Sequence, residues 1–215
     1  MLDLAARKKR ARDVIRILRR AFPDARCSLD HADAFQLLIA TMLSAQCTDA
    51  RVNLVTPDLF AAYPTPADFA AATQEEIEEA IRSTGFFRQK ARSIRGACTD
   101  IVETHGGELP RTMPELVKLA GVGRKTANCV LGVAFDDPDG VVVDTHVGRI
   151  AGKLGLTAHG PKEAVKIERD LNACVPRRDW VVFGHLLIEH GRRTCRARNP
   201  LCDECPLYRC CEVRA

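Results

Sequence analysis

Residues 116–130, LVKLAGVGRKTANCV, decide the fold. Leu116 and Leu119 sit three apart and predict one buried face of a short helix. Gly121, Val122 and Gly123 follow, and two glycines so close mark a backbone that needs unusual dihedrals or the close approach of a partner. Helical spacing resumes with Thr126, Ala127, Val130 and Leu131. The stretch therefore reads as two helices meeting at a tight turn, with Lys125 in the first turn of the second. Backbone N–H groups at a helix start have no intrahelical acceptor, and an anion such as a phosphate can dock there. The helix dipole disfavours a cation at the same end, so the charged form of an amine is destabilised and its pKa is expected to fall. That suits a nucleophilic lysine better than a structural one. A packing corner with a solvent-exposed lysine has the same spacing and stays open on spacing alone.

The chain has 215 residues, room for one large or two small domains, and 46% of them are hydrophobic, enough for a core. Aromatics are few and alanine is abundant, which suits closely packed helices. No apolar run approaches the roughly 18 residues of a membrane span, so no membrane role is expected. The N-terminal stretch is charged and does not read as a signal peptide. Ten cysteines in such a chain argue for reduced thiols or a metal site, not a disulfide scaffold, and for a cytoplasmic setting. The net charge of +4 says less than its distribution. Arg7, Lys8, Lys9, Arg10 and Arg12 crowd the start, and Arg192, Arg193, Arg196 and Arg198 crowd a region near the end. Such clusters can neutralise phosphates; for the first run a solvated helix face is the expected reading.

Outward from the central stretch, residues 4–21 predict an amphipathic helix ended by Pro23. Asp33 is placed to cap a mostly apolar, buried helix carrying Phe35, Leu38, Ile39, Met42 and Leu43. That helix runs into LSAQCTDARVN, where Ser44, Gln46 and Thr48 emerge at a surface. Pro57 should kink or restart the next helix. Thr65 with Pro66, Thr73 with Glu76, and Thr112 with Glu115 read as helix starts. Gly85 closes one helix, and Phe86 and Phe87 follow at once; an apolar side chain there can pack, or can wedge into a DNA base step. Asp144 before Thr145, His146 and Val147 is an N-cap pattern, and a carboxylate held at a helix start is fixed and kept ionised. Helices are expected over 88–105, 161–174 and 178–190. His185 and His190, five apart, lack the four-residue spacing of paired ligands on one helix face and read as structural.

Cys195, Cys202, Cys205, Cys210 and Cys211 fall within 17 residues. Sulfur donors at this density mean zinc or an iron–sulfur centre, and the chemistry of the thiols alone leaves both open.

LxxLxGVGRKTA, with VVVDTHVGR at 141–149, resembles the helix-hairpin-helix and aspartate signature of the DNA glycosylase superfamily, and its lysine version resembles the endonuclease III family. The resemblance runs from about Phe35 to Cys211. Two departures stand out: Ala120 where the family usually has proline, which suggests a looser turn, and Cys47 where a small residue is common. The resemblance implies an all-α fold of two helical lobes with a DNA-binding cleft between them, a helix-hairpin-helix motif and a C-terminal iron–sulfur cluster loop. One lobe would span 24–137, the other 1–23 plus 138–215. Lys125 and Asp144 would be catalytic. Gln46 and Phe86 would enter the base stack, Gly121 and Gly123 would hold a phosphate, and Ser44, His146, Arg196 and Arg198 would also meet DNA. Cys195, Cys202, Cys205 and Cys211 would ligate a 4Fe-4S cluster, the family spacing choosing Cys211 over Cys210. The implied activity is base-excision repair: a DNA glycosylase removing oxidised pyrimidines from duplex DNA, with AP lyase (β-elimination) activity through a lysine Schiff base. Its partner would be double-stranded DNA containing damaged bases or abasic sites, met by a monomer in the cytoplasm at the nucleoid. A second class of function is a non-catalytic DNA-binding or redox-sensing iron–sulfur protein, for which Lys125 and Asp144 would not both be needed.

Overall fold

The computed structural model describes residues 2–213. Met1, Arg214 and Ala215, which belong to the lobe expected over 1–23 plus 138–215, lie outside the described residues. Among the described residues all regular structure is helical: α1 (Leu4–Ala21), α2 (Ala34–Leu43), α3 (Asp49–Ala62), α4 (Pro66–Ala71), α5 (Gln74–Ile81), α6 (Phe87–His105), α7 (Met113–Leu116), α8 (Arg124–Ala134), α9 (Thr145–Lys153), α10 (Ala164–Cys174) and α11 (Trp180–Arg193). None of these helices is long and apolar enough to cross a membrane. The chain divides into two compact units, Cys27–Asp139 and Met1–Arg26 with Gly140–Ala215.

The unit Cys27–Asp139 is built around α2, which buries Phe35, Leu37, Leu38, Ile39, Met42 and Leu43 on nearly every side, as a central helix must. Its start is fixed by Asp33, whose carboxylate accepts from the Gln36 amide. Two capping boxes start the short helices that follow, Thr65 with Asp68 on α4 and Thr73 with Glu76 on α5. Thr112 is the N-cap of α7, as its pairing with Glu115 predicts, but it makes no capping bond to the backbone: its hydroxyl donates to the Glu115 carboxylate at 2.6 Å. Pro57 does not restart α3, which runs through it from Asp49 to Ala62. Leu116 and Leu119 are both buried, but α7 ends at Leu116, so Leu119 belongs to the turn.

In the other unit, α1 presents Ala11, Val14, Ile15 and Leu18 to the core at helical spacing. Its basic run is not a uniformly solvated face. Arg7 turns inward to Asp170 at 3.4 Å and to the Leu156 carbonyl, and Arg10 to Glu212 at 2.9 Å and the Leu154 carbonyl. These two guanidiniums tie the N-terminal helix to segments far along the chain. α10 starts at Ala164, three residues later than expected, because 161–163 form a turn. α11 buries Phe183, Leu186, Leu187 and His190 along one face.

Candidate functional site

Within the unit Cys27–Asp139, the turn between α7 and α8 is closed by a hydrogen bond from the Val122 amide to the Leu119 carbonyl at 3.0 Å. Gly121 is its third residue, at φ +72°, the left-handed region where L side chains are strained. A Cβ there would also lie 2.5 Å from Ser93 Cβ, so the position admits only glycine. Gly123 differs. It is the N-cap of α8 at φ −90°, and a Cβ built on it meets nothing within 4 Å. The fold does not require its smallness. Lys125 follows in the first turn of α8, exposed, and among the described residues no hydrogen bond or ion pair within its unit engages Nζ. The amine and the first residues of α8 are thus exposed together.

Ala120 explains its own departure from proline. As second residue of the turn it occupies the place proline favours, but its N–H donates to Asp100 Oδ2 at 3.0 Å, a bond proline cannot make. The looser turn expected from the missing proline is restrained by this bond.

Gln46 and Phe86 share an unusual backbone. Both are non-glycine residues at positive φ, +53° and +49°. Gln46 is exposed, the third residue of a turn closed by the Cys47 amide on the Ser44 carbonyl at 3.1 Å. Phe86 is the N-cap of α6 and 65% exposed. A bulky side chain held left-handed with no packing in return is a strained feature, and such strain concentrates at functional sites. Phe87, by contrast, packs on the core, with the guanidiniums of Arg82 and Arg88 5.8 and 5.7 Å from its ring centroid. Ser44 sends its hydroxyl back to the Thr41 carbonyl at 2.8 Å, capping α2, which leaves its oxygen as an acceptor. Beneath Phe86 lies a residue with no sequence signal: Lys90, 6% exposed, donates from Nζ to the Thr84 carbonyl at 2.8 Å. Burial pulls its pKa below the usual lysine range, while the nearby Cys47 opposes the shift.

In the unit Met1–Arg26 with Gly140–Ala215, Asp144 is the N-cap of α9 and half-buried; its Oδ1 accepts from the Val147 amide at 2.8 Å. The capping bond fixes the carboxylate between buried Val143 and Val147. His146, one turn further in, packs so closely on α11 that a Cβ at Gly191 would lie 2.5 Å from its Nδ1, and its ring stands 3.4 Å from an Arg149 nitrogen. Much of this ring is therefore committed to packing. Arg196 and Arg198 are exposed.

Cys195, Cys202, Cys205 and Cys211 line one pocket, with Ile150, Leu154 and Leu207 among its apolar walls. Cys210 is not on that wall: it lies by Arg10, Asp13 and Arg16 of α1. Among the described residues, no three His, Cys, Asp or Glu side chains are drawn together tightly enough to hold a single metal ion. The donor set fits an iron–sulfur cluster, which spreads four thiolate bonds over a larger body. Arg149 donates to Cys195 Sγ at 3.5 Å and to the Cys195 carbonyl at 2.7 Å, and an N–H on sulfur stabilises a ligating thiolate. Burial raises the Cys205 thiol pKa, with the charges of Cys195, Cys211 and Cys202 adding to it. His190, 1% exposed, sits 3.7 Å from Cys205 Sγ, and burial with the Arg149 cation lowers its pKa to about 4, so it is neutral. Spacing along α11 gave no hint of this, because its neighbours come from other elements.

Residues 39–177 match the model of the HhH-GPD superfamily of base excision DNA repair proteins. The chain is 52% identical over 208 residues to endonuclease III of Synechocystis sp., covering 97% of this chain and 94% of that one. It is 47% identical over 190 residues to endonuclease III of Bacillus subtilis, covering 88% and 86%. Among solved structures, a trapped endonuclease III–DNA covalent intermediate superposes with a TM-score of 0.90 at 43% identity, over 99% of this chain and 97% of the other.

Proposed function

The chain belongs to the endonuclease III family of the HhH-GPD superfamily, and on that premise we propose that it clears oxidised pyrimidines from duplex DNA with Lys125 as nucleophile. It is a base-excision DNA glycosylase and AP lyase. The target atom is out of reach inside a duplex, so the damaged nucleotide is turned out of the stack, and Gln46 and Phe86 enter the space it leaves. The amides around Gly121 and Gly123 hold a backbone phosphate at the start of α8.

Lys125 Nζ, in its neutral form, attacks the sugar C1′; the C1′–N bond breaks and the base leaves with the electron pair. Asp144 stabilises the positive charge that develops on the sugar and assists the proton transfers. Opening of the sugar gives an imine between Nζ and C1′. The imine acidifies the C2′ proton; its removal expels the 3′ phosphate oxygen and cuts the strand. Water then frees the lysine.

Cys195, Cys202, Cys205 and Cys211 would hold a 4Fe-4S cluster, which when bound cross-links the loop bearing Arg196 and Arg198 for phosphate contact. The protein acts as a monomer on DNA with damaged bases or abasic sites, in the cytoplasm at the nucleoid.

The observation that carries this reading is Lys125, exposed in the first turn of α8 directly after a turn that the structure closes only with glycine. Borohydride reduction during reaction with a lesion-bearing duplex tests it. Wild type is expected to give a covalent protein–DNA adduct and Lys125→Gln none; an adduct mapped to another residue overturns the assignment. The cofactor is tested by analysis of the purified chain, expected yellow-brown with about four iron and four sulfide per molecule; a colourless zinc protein would refute it.

A further inference from the structure

The turn that carries Gly121 does not stand free: it is seated on one face of α6. Ser93, Gly96 and Asp100 recur there at intervals of three and four, the spacing of a single helix face. Each meets the turn differently. Ser93 lies where a Gly121 Cβ would go, at 2.5 Å. Gly96 makes room for Ala120, whose Cβ would stand 2.8 Å from a side chain at that position. Asp100 accepts the Ala120 N–H at 3.0 Å. The two small residues set the depth of the seat, and the carboxylate supplies a directional bond. The same helix begins at Phe86. At 1.5 Å per residue, α6 separates Phe86 from Asp100 by about 20 Å along a rigid rod.

We propose that Asp100 is a positioning residue for DNA binding: through the Ala120 N–H it locks the phosphate-holding turn onto α6, and so fixes that turn at a set distance from the wedge side chain at the other end of the helix. The proposal rests on the reading of the turn and of Phe86 as DNA contacts. A wedge and a phosphate grip on one rod accept only duplex bent to match their spacing. With the lock released, the grip wanders relative to the wedge, and affinity for distorted DNA falls while the chemistry of bound substrate persists.

The test is binding to a duplex carrying a tetrahydrofuran abasic analogue, together with KM and kcat for excision. Asp100→Ala is expected to raise the Kd and KM about tenfold, equivalent to about 1.4 kcal/mol, and to change kcat less than threefold. Asp100→Asn keeps an acceptor and is expected to bind within about twofold of wild type. The double variant Asp100→Ala with Ala120→Pro stiffens the turn by another route, since proline suits its second position, and is expected to recover most of the affinity. Unchanged Kd in Asp100→Ala overturns the proposal. So does a loss confined to kcat, the mark of a reduced folded fraction, or an Asn variant no better than Ala. Should Asp100→Ala fail to fold, the Asn variant and the double variant still decide it. Failure of the glycosylase reading would show separately, as wild-type protein that binds the analogue yet releases no base.

Discussion

Two turns of the unit Cys27–Asp139 are built alike and differ in the residue at their strained position. Leu119–Val122 and Ser44–Cys47 are each closed by a bond from the fourth amide to the first carbonyl, with the third residue left-handed. In the first turn that residue is Gly121, sealed against Ser93. In the second it is Gln46, exposed. Glycine takes this backbone at no steric cost, whereas a side-chain-bearing residue gives up about 1 kcal/mol or more. The difference separates two tasks. Where a backbone must meet a partner, the chain uses the residue that relaxes the turn and allows close packing. Where a side chain must project from the turn, it accepts the strain, and it does so again at Phe86.

The comparison breaks most visibly at Gly121. Gly121→Ala adds a left-handed penalty and a methyl against Ser93 Cβ, which cannot swing away as a flexible side-chain tip would. The expected cost is about 3 kcal/mol, a fall in melting temperature of roughly 6–12 °C for a chain of this size. Binding to abasic duplex should fall with it, because the turn must leave its seat on α6. Thermal unfolding with binding below the melting range checks both. A variant that melts with wild type would mean that Gly121 is no more constrained than Gln46.

At Gln46 and Phe86 the expected pattern reverses. Gln46→Gly and Phe86→Gly relieve the strained backbone, and the extra freedom of glycine in the unfolded chain offsets that gain, so stability should stay within about 1 kcal/mol of wild type. Neither exposed side chain gives up core packing. Function should suffer instead. Excision from duplex DNA should drop on the order of tenfold or more, since filling the vacated stack offsets a few kcal/mol of unstacking. Strand cleavage on a single-stranded abasic oligonucleotide, which has no stack to fill, should change less than twofold. Equal losses on both substrates would assign the strain to folding and not to the stack.

What was legible in the chain follows the same division between local and distant causes. Helix starts were readable because a cap and its amide lie three residues apart: Asp33, Thr65, Thr73 and Asp144 all cap as their spacing predicts. Gly121 was readable because its constraint begins with its own φ. Arg7 and Arg10 were not, because the acids that turn them inward, Asp170 and Glu212, lie more than a hundred residues on. Asp100 was invisible for the same reason, being 20 residues from the amide it holds. Lys90 and His190 gave no signal because each is placed by neighbours from other elements. Among the cysteines, spacing alone allowed Cys210, while the fold lays it against α1 and leaves the other four on one pocket.

Gly123 sharpens the comparison with the smallest change. It shares the glycine-rich turn with Gly121 but none of its constraints: its φ of −90° suits any L residue, and a Cβ there touches nothing. Gly123→Ala loses a little as an N-cap, where glycine outranks alanine, and gains from a less flexible unfolded chain. These effects are of similar size and opposite sign, so the melting temperature should stay within about 2 °C. If the open space beside Gly123 is where a phosphate approaches the start of α8, the added methyl crowds that approach, and Kd for the abasic duplex should rise about threefold, or about 0.7 kcal/mol. The effect should act on affinity alone, with the yield of borohydride-trapped adduct at saturating DNA unchanged. Binding equal to wild type would place the phosphate elsewhere on the turn and leave Gly123 as a helix cap like any other.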